Sequence, residues 1–138
     1  MSYKYLEHAT DALIEVNAKT LEDAFSVAGK SVVETIIDSN NIQEIEEKNI
    51  NVKGRNLLNL LYNWLEEIVT ITITDGFAIK NFSVNIKKNK ECQIVSKISG
   101  EKLDLKKHNF KVEIKSPTFH LMEINENDEI IMRYLLDL

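Results

Sequence analysis

Two short stretches at opposite ends of this 138-residue sequence carry oxygen-bearing side chains beside apolar runs. Glu7-His8-Ala9-Thr10-Asp11 leads into ALIEV, and IIMRYLLDL at residues 130–138 is apolar except for Arg133 and Asp137. At a strand entrance an aspartate can simply hydrogen-bond its own backbone, and a histidine can pack partly buried. For His8 and Asp11 alone, that plain reading prevails. The C-terminal stretch adds a second observation: termini fray unless something ties them down, so Asp137 beside Leu138 suggests an end that is held. A metal ion is one candidate. Hard cations such as calcium, magnesium or manganese take carboxylate and carbonyl oxygens, and Asp11, Asp137 and the main-chain oxygen of Leu138 could supply a small open site.

Other chemistries find less support. His8, His108 and His120 lack the close pairing of a zinc motif, and no G-x-S-x-G elbow, Walker loop, GxGxxG fingerprint or Cys/His nucleophile arrangement occurs. Paired carboxylates could still serve a metal-dependent hydrolase with Asp11 and Asp137 activating water, but no general base or substrate-pocket motif accompanies them. Lys115, in EIKSPTFH, reads as a solvated lysine at a strand edge. The single cysteine, Cys92, excludes a disulfide framework and a four-cysteine zinc site, and fits a reducing compartment. No stretch approaches a membrane span and MSYKYLEH has no signal-peptide core, so a cytoplasmic protein without membrane contact is expected.

The net charge of −5 argues against a dedicated nucleic-acid binder, yet it is unevenly spread. Residues 80–115 hold ten Lys against four acidic residues, a local +6, and the rest of the chain holds 7 basic against 18 acidic, or −11. A solvated face accounts for those lysines; a weak or indirect RNA contact is the sharper alternative.

The elements that must position these residues follow from periodicity. Tyr3 to Glu7 and Ala12 to Val16 read as strands. Thr20 followed by Leu21-Glu22-Asp23 caps a helix whose apolar face is Leu21, Ala24, Phe25, Ala28, Val32 and Ile36. Gln43 to Val52 reads as a strand with Ile45 off register. NLLNLLYNWLEEIV from Asn56 is a second helix, with Trp64 in the core, and Asp75-Gly76 ends it. Period-two apolar residues then recur at Phe77 and Ile79, Phe82 to Ile86, Cys92 to Ile98, Val112 and Ile114, Phe119 and Leu121, and Ile130 to Leu136. With one proline, four glycines and no linker, the chain reads as a single domain over residues 1–138. Helices early and strands late predict an α+β fold: a two-layer sandwich, its largely antiparallel sheet carrying two helices on one face, with the N-terminal strands in that same sheet.

In order and spacing the chain resembles the archease family. The resemblance rests on EHATD at 7–11 (EHTAD is usual in the family), TLEDAF at 20–25, LLYNWLEEI at 60–68, GEKLDLKKH at 100–108, EIKSPTFH at 113–120 and the final LLDL. It implies a compact sandwich of two helices against a sheet, and a small non-catalytic cofactor of the RtcB-type RNA ligase, which joins tRNA exon ends after intron removal. Such proteins help the ligase acquire guanylate and turn over repeatedly; modulation of a tRNA methyltransferase in a chaperone-like manner is also compatible. Asp11 matches the family's metal-binding aspartate and Asp137 the one near the C-terminus. Leu138 would add its main-chain oxygen, and Lys115 matches a basic residue needed for ligase activation. The implied cofactor is a divalent cation, calcium first, with magnesium or manganese as alternatives. His8 and His120 match motif positions without an assigned role. Ala9-Thr10 reverses the usual order, and Pro117 stands where a small apolar residue is commoner.

Overall fold

The computed structural model describes residues 1–8 and 10–138. The described residues form seven strands and two α-helices in the order β1 (Ser2–Leu6), β2 (Ala12–Ala18), α1 (Leu21–Ile36), β3 (Glu46–Gly54), α2 (Leu57–Val69), β4 (Phe77–Lys88), β5 (Cys92–Lys102), β6 (Ser116–Glu126) and β7 (Ile130–Asp137).

α1 starts at the cap read from its sequence, and Asn56 caps α2 in the same way. The Thr20 hydroxyl accepts the Asp23 backbone N–H at 3.1 Å, and the Asn56 side chain accepts that of Asn59 at 2.9 Å, each satisfying a donor with no partner inside the helix. α2 runs on through a π-helical segment, Thr70–Thr74, to Asp75, and Gly76 then turns the chain into β4 at φ +65°, a conformation that a side chain would make costly. Trp64 is fully buried, its indole N–H donating to the Phe25 carbonyl at 2.8 Å. Its role in the core is thereby satisfied at both its apolar and polar parts.

The fold is the expected α+β sandwich, but its strands make two antiparallel sheets instead of one, ordered β1-β2-β7-β6 and β3-β5-β4. The physical reason lies in α1. Beyond its predicted stripe, Val27, Ser31, Val33 and Thr35 are buried too, so most of its circumference needs cover. It packs on β2 and β7 from one sheet and on β4 from the other, while α2 meets β6 on one side and β3 on the other. A single sheet could cover only one side of such helices. Of the N-terminal strands, β2 pairs with β7, the last strand of the chain, and β1 pairs with β2 at the sheet edge.

Three local expectations change. Ile45 precedes β3 and is 67% exposed, so its departure from the Ile50 and Val52 alternation marks the strand's start. Val112 and Ile114 lie in an irregular segment, where Ile114 is buried by packing without strand pairing. Phe119 and Leu121 belong to β6 yet stand exposed, for a reason given below.

Candidate functional site

β2 and β7 run antiparallel with Ala12 opposite Leu136. Extending that register by one residue sets Asp11 opposite Asp137, on the sheet face shared with the Leu13–Leu135 and Glu15–Arg133 pairs. Neighbouring strands lie about 4.8 Å apart, so this register brings the backbones of two acidic residues from opposite ends of the sequence side by side at one end of the four-stranded sheet. Asp11, Asp137 and Leu138 are all partly buried.

β6 brings the third predicted residue. Ser116 pairs with Asp137, and the Lys115 backbone N–H donates to the Asp137 carbonyl at 2.8 Å. That bond ties the Lys115 main chain to the acidic pair and leaves its side chain exposed. The Asp137 carbonyl thus carries one hydrogen bond, and Leu138 offers the neighbouring main-chain oxygen. Pro117, whose path was the question raised by its unusual position, pairs with Leu136 near the start of a strand that is an edge of its sheet, the kind of place where sheets accept proline. His8 joins the group through Nδ1, 3.9 Å from Asp11 Oδ2. Ala9, one half of the reversed Ala-Thr pair, lies outside the described residues. His120 is exposed, its backbone N–H donating to Thr118 Oγ1 at 2.8 Å, away from the carboxylate pair in the ladder.

Two carboxylates and a carbonyl match the oxygen preference of a hard divalent cation and do not suit zinc. Among the described residues no three His, Cys, Asp or Glu side chains gather into a metal-holding group. A cation here would therefore take its remaining ligands from water or from another molecule, since calcium uses about six to eight oxygens.

Next to this tip β6 departs from regular pairing. Thr118 lies opposite Leu135 and the next pair is Glu123 with Arg133, so residues 119–122 bulge outward, with Leu121 at φ +61°. Phe119 stacks on Tyr62 of α2, ring centroids 4.3 Å apart and planes 10° from parallel. Period two placed Phe119 and Leu121 in the sheet; the bulge turns both towards solvent, 53% and 48% exposed.

The GEKLDLKKH segment has a different task, which residue types alone did not disclose. His108 is fully buried; its Nδ1 accepts the Asp104 backbone N–H at 3.0 Å, so Nε2 carries the hydrogen donated to Glu101 at 3.0 Å. Glu101 also accepts from Lys107 Nζ at 2.8 Å and from the Gln43 backbone at 2.8 Å. These bonds, led by that from Lys107, hold the Glu101 carboxyl at about 2. Here is the role of the third histidine: it fastens the loop after β5 to the body.

The sequence profile of the Archease protein family (MTH1598/TM1083) matches residues 3–138. The chain belongs to the archease family. Similar relatives include the protein archease of Pyrococcus abyssi, 34% identical over 125 residues that cover 90% of this chain and 88% of that one. That of Methanopyrus kandleri is 33% identical over 140 residues covering all of both chains. The solution structure of Methanobacterium thermoautotrophicum protein 1598 superimposes with a TM-score of 0.80 at 27% identity, covering 99% of this chain and 98% of the other. The family's fold thus extends over both sheets and both helices.

Proposed function

We propose that the protein is a non-catalytic activator of an RtcB-type tRNA-splicing RNA ligase, promoting guanylylation of the ligase and its multiple turnover. Membership of the archease family supports this reading, and the β2–β7 register, which extended by one residue sets Asp11 opposite Asp137 beside Lys115, is the observation that carries it. Asp11, Asp137 and the Leu138 main-chain oxygen would hold a divalent cation, calcium first and magnesium or manganese as alternatives, with ligand positions open towards the partner. Such a cation would supply neutralisation of phosphate charge. Lys115 adds a cation whose backbone is already fixed, so less ordering entropy is lost when it meets an anionic group. This small protein would act in the cytoplasm through the ligase, with its contact to tRNA indirect or weak.

The test is reconstitution with the cognate ligase, GTP and a divalent metal, following guanylylation and multiple-turnover joining. Wild type should stimulate both strongly, while Asp11→Ala, Asp137→Ala and Lys115→Ala, each confirmed folded by its melting profile, should lose stimulation at least tenfold. Stimulation by all three folded variants at the wild-type level would refute the proposed roles.

A further inference from the structure

The ten lysines of residues 80–115 separate, in the fold, into those with partners and those without. Lys107 binds Glu101, Lys88 binds Glu126 at 3.1 Å, Lys80 donates to the Ser39 carbonyl and Lys111 to that of Glu34. Lys87, Lys90 and Lys97 make no ion pair among the described residues, and neither does Lys53 of β3. These four belong to the three-stranded sheet or the turn that joins β4 to β5. Lys53 pairs with Gln93, which pairs with Lys87, so the two lysines flank one glutamine across the three strands, about 10 Å apart. With Lys90 they line an open cleft of about 310 Å³, to which Glu91 adds the one acidic side chain. Lys97 stands two rungs further along the same face.

The remainder of that face limits what could bind there. Its inward side chains, such as Ile50, Ile94 and Ile98, pack in the core, and its outward side around the cleft is asparagine, serine, glutamine and lysine, with the acidic Glu47 and Glu44 at the opposite end of the face, beyond Lys97. Val95 is its one exposed apolar residue and no aromatic residue stands on it. A protein interface draws its affinity from aromatic and aliphatic anchors, which are missing. Base-stacking surfaces need aromatic rings, which are missing too. Lysine, asparagine and serine are the side chains that contact phosphate and sugar oxygens.

We infer that the outer face of the three-stranded sheet, centred on the cleft of Lys53, Lys87 and Lys90, is a contact surface for the sugar-phosphate backbone of RNA, read without regard to base sequence. It is separate from the Asp11–Asp137 tip and does not depend on the ligase reading. Three to four phosphate contacts imply weak, salt-sensitive binding, with the affinity falling as roughly the second to third power of salt concentration for a single strand.

Fluorescence anisotropy of a labelled oligouridine, titrated with the full-length protein at several salt concentrations, tests this directly. Wild type should bind at low salt with that steep dependence. The triple variant Lys53→Gln, Lys87→Gln, Lys90→Gln should lose at least tenfold in affinity and most of the salt slope, and these exposed positions leave the melting profile in place. Labelled poly-glutamate serves as the competing anion. Absence of RNA binding, an unchanged triple variant, or equal affinity for poly-glutamate would each overturn the inference. Guanylylation of the ligase, measured separately with the same variant, reads the acidic tip and not this face, so the two readings fail independently.

Discussion

Replacing Asp11 by asparagine should make the protein more stable without a divalent cation and less stable with one. Extended one residue past Ala12–Leu136, the β2–β7 register sets Asp11 opposite Asp137, and carboxylates so placed would repel unless something lay between them. At a charge separation of about 6 Å in a water-like dielectric that repulsion is about 0.7 kcal/mol. Asparagine keeps the shape and removes the repulsion, raising Tm by about 2–3 °C for a chain of this length. Added cation reverses the order. At ten times its dissociation constant, a cation bound only by the folded protein adds about 1.4 kcal/mol to the wild type, and little to a variant that has lost one carboxylate. Thermal melts of both proteins should therefore cross: in chelator the variant melts higher, and in calcium, magnesium or manganese the wild type does. Two results would refute the reasoning. If no divalent cation moves the wild-type Tm, the carboxylates do not form a cation site. If Asp11→Asn melts lower in chelator, Asp11 is held by its backbone neighbours as a turn residue and the repulsion is absent.

Gly100 faces the bulge at Lys80 in β4, and a Cβ there would collide with the Ala78 carbonyl oxygen, a backbone atom that cannot turn aside; Gly100→Ala should cost about 3 kcal/mol, read from urea unfolding. Ser31 donates to the Ala28 carbonyl at 2.6 Å, so the buried Tyr134 hydroxyl donates to Ser31 at 2.5 Å. Tyr134→Phe then loses one hydrogen bond, about 1 kcal/mol, whereas Ser31→Ala strands a buried hydroxyl and should cost about 2 kcal/mol; equal losses in urea unfolding would contradict that donor assignment. Because the Glu101 carboxyl is held at about 2, below its ordinary 4.5, its contribution to stability is complete above the ordinary value and disappears as pH falls from there towards 2. Glu101→Gln should flatten the pH dependence of stability in that acid window, and an unchanged slope would assign acid unfolding to other carboxylates.

The helices were legible because their determinants are local: Thr20 and Asn56 cap within three residues, the apolar stripes repeat within each segment, and Gly76 stops α2 by its own backbone freedom. Asp11, Asp137 and Lys115 could be named as candidates, since acidic and basic side chains beside apolar strands stand out and match the family's motifs. Their meeting could not be read from spacing. It depends on β2 choosing β7 as its neighbour over more than a hundred residues of intervening chain, and on a register in which a shift of one residue would turn Asp11 to the other face. The same holds for the division into two sheets, decided by how much of the surface of α1 needed cover, and for the bulge that lifts Phe119 out of its period-two place onto Tyr62. His108 illustrates the limit within a short segment: Glu101 lies only seven residues away, yet only burial of the loop turns that nearby pair into a fastening. Composition and periodicity determine which face of an element is apolar and where it begins and ends. Which faces meet, and hence which carboxylates share a site, is decided by packing between elements distant in the chain, where the favourable burial is collective and no single residue carries its record.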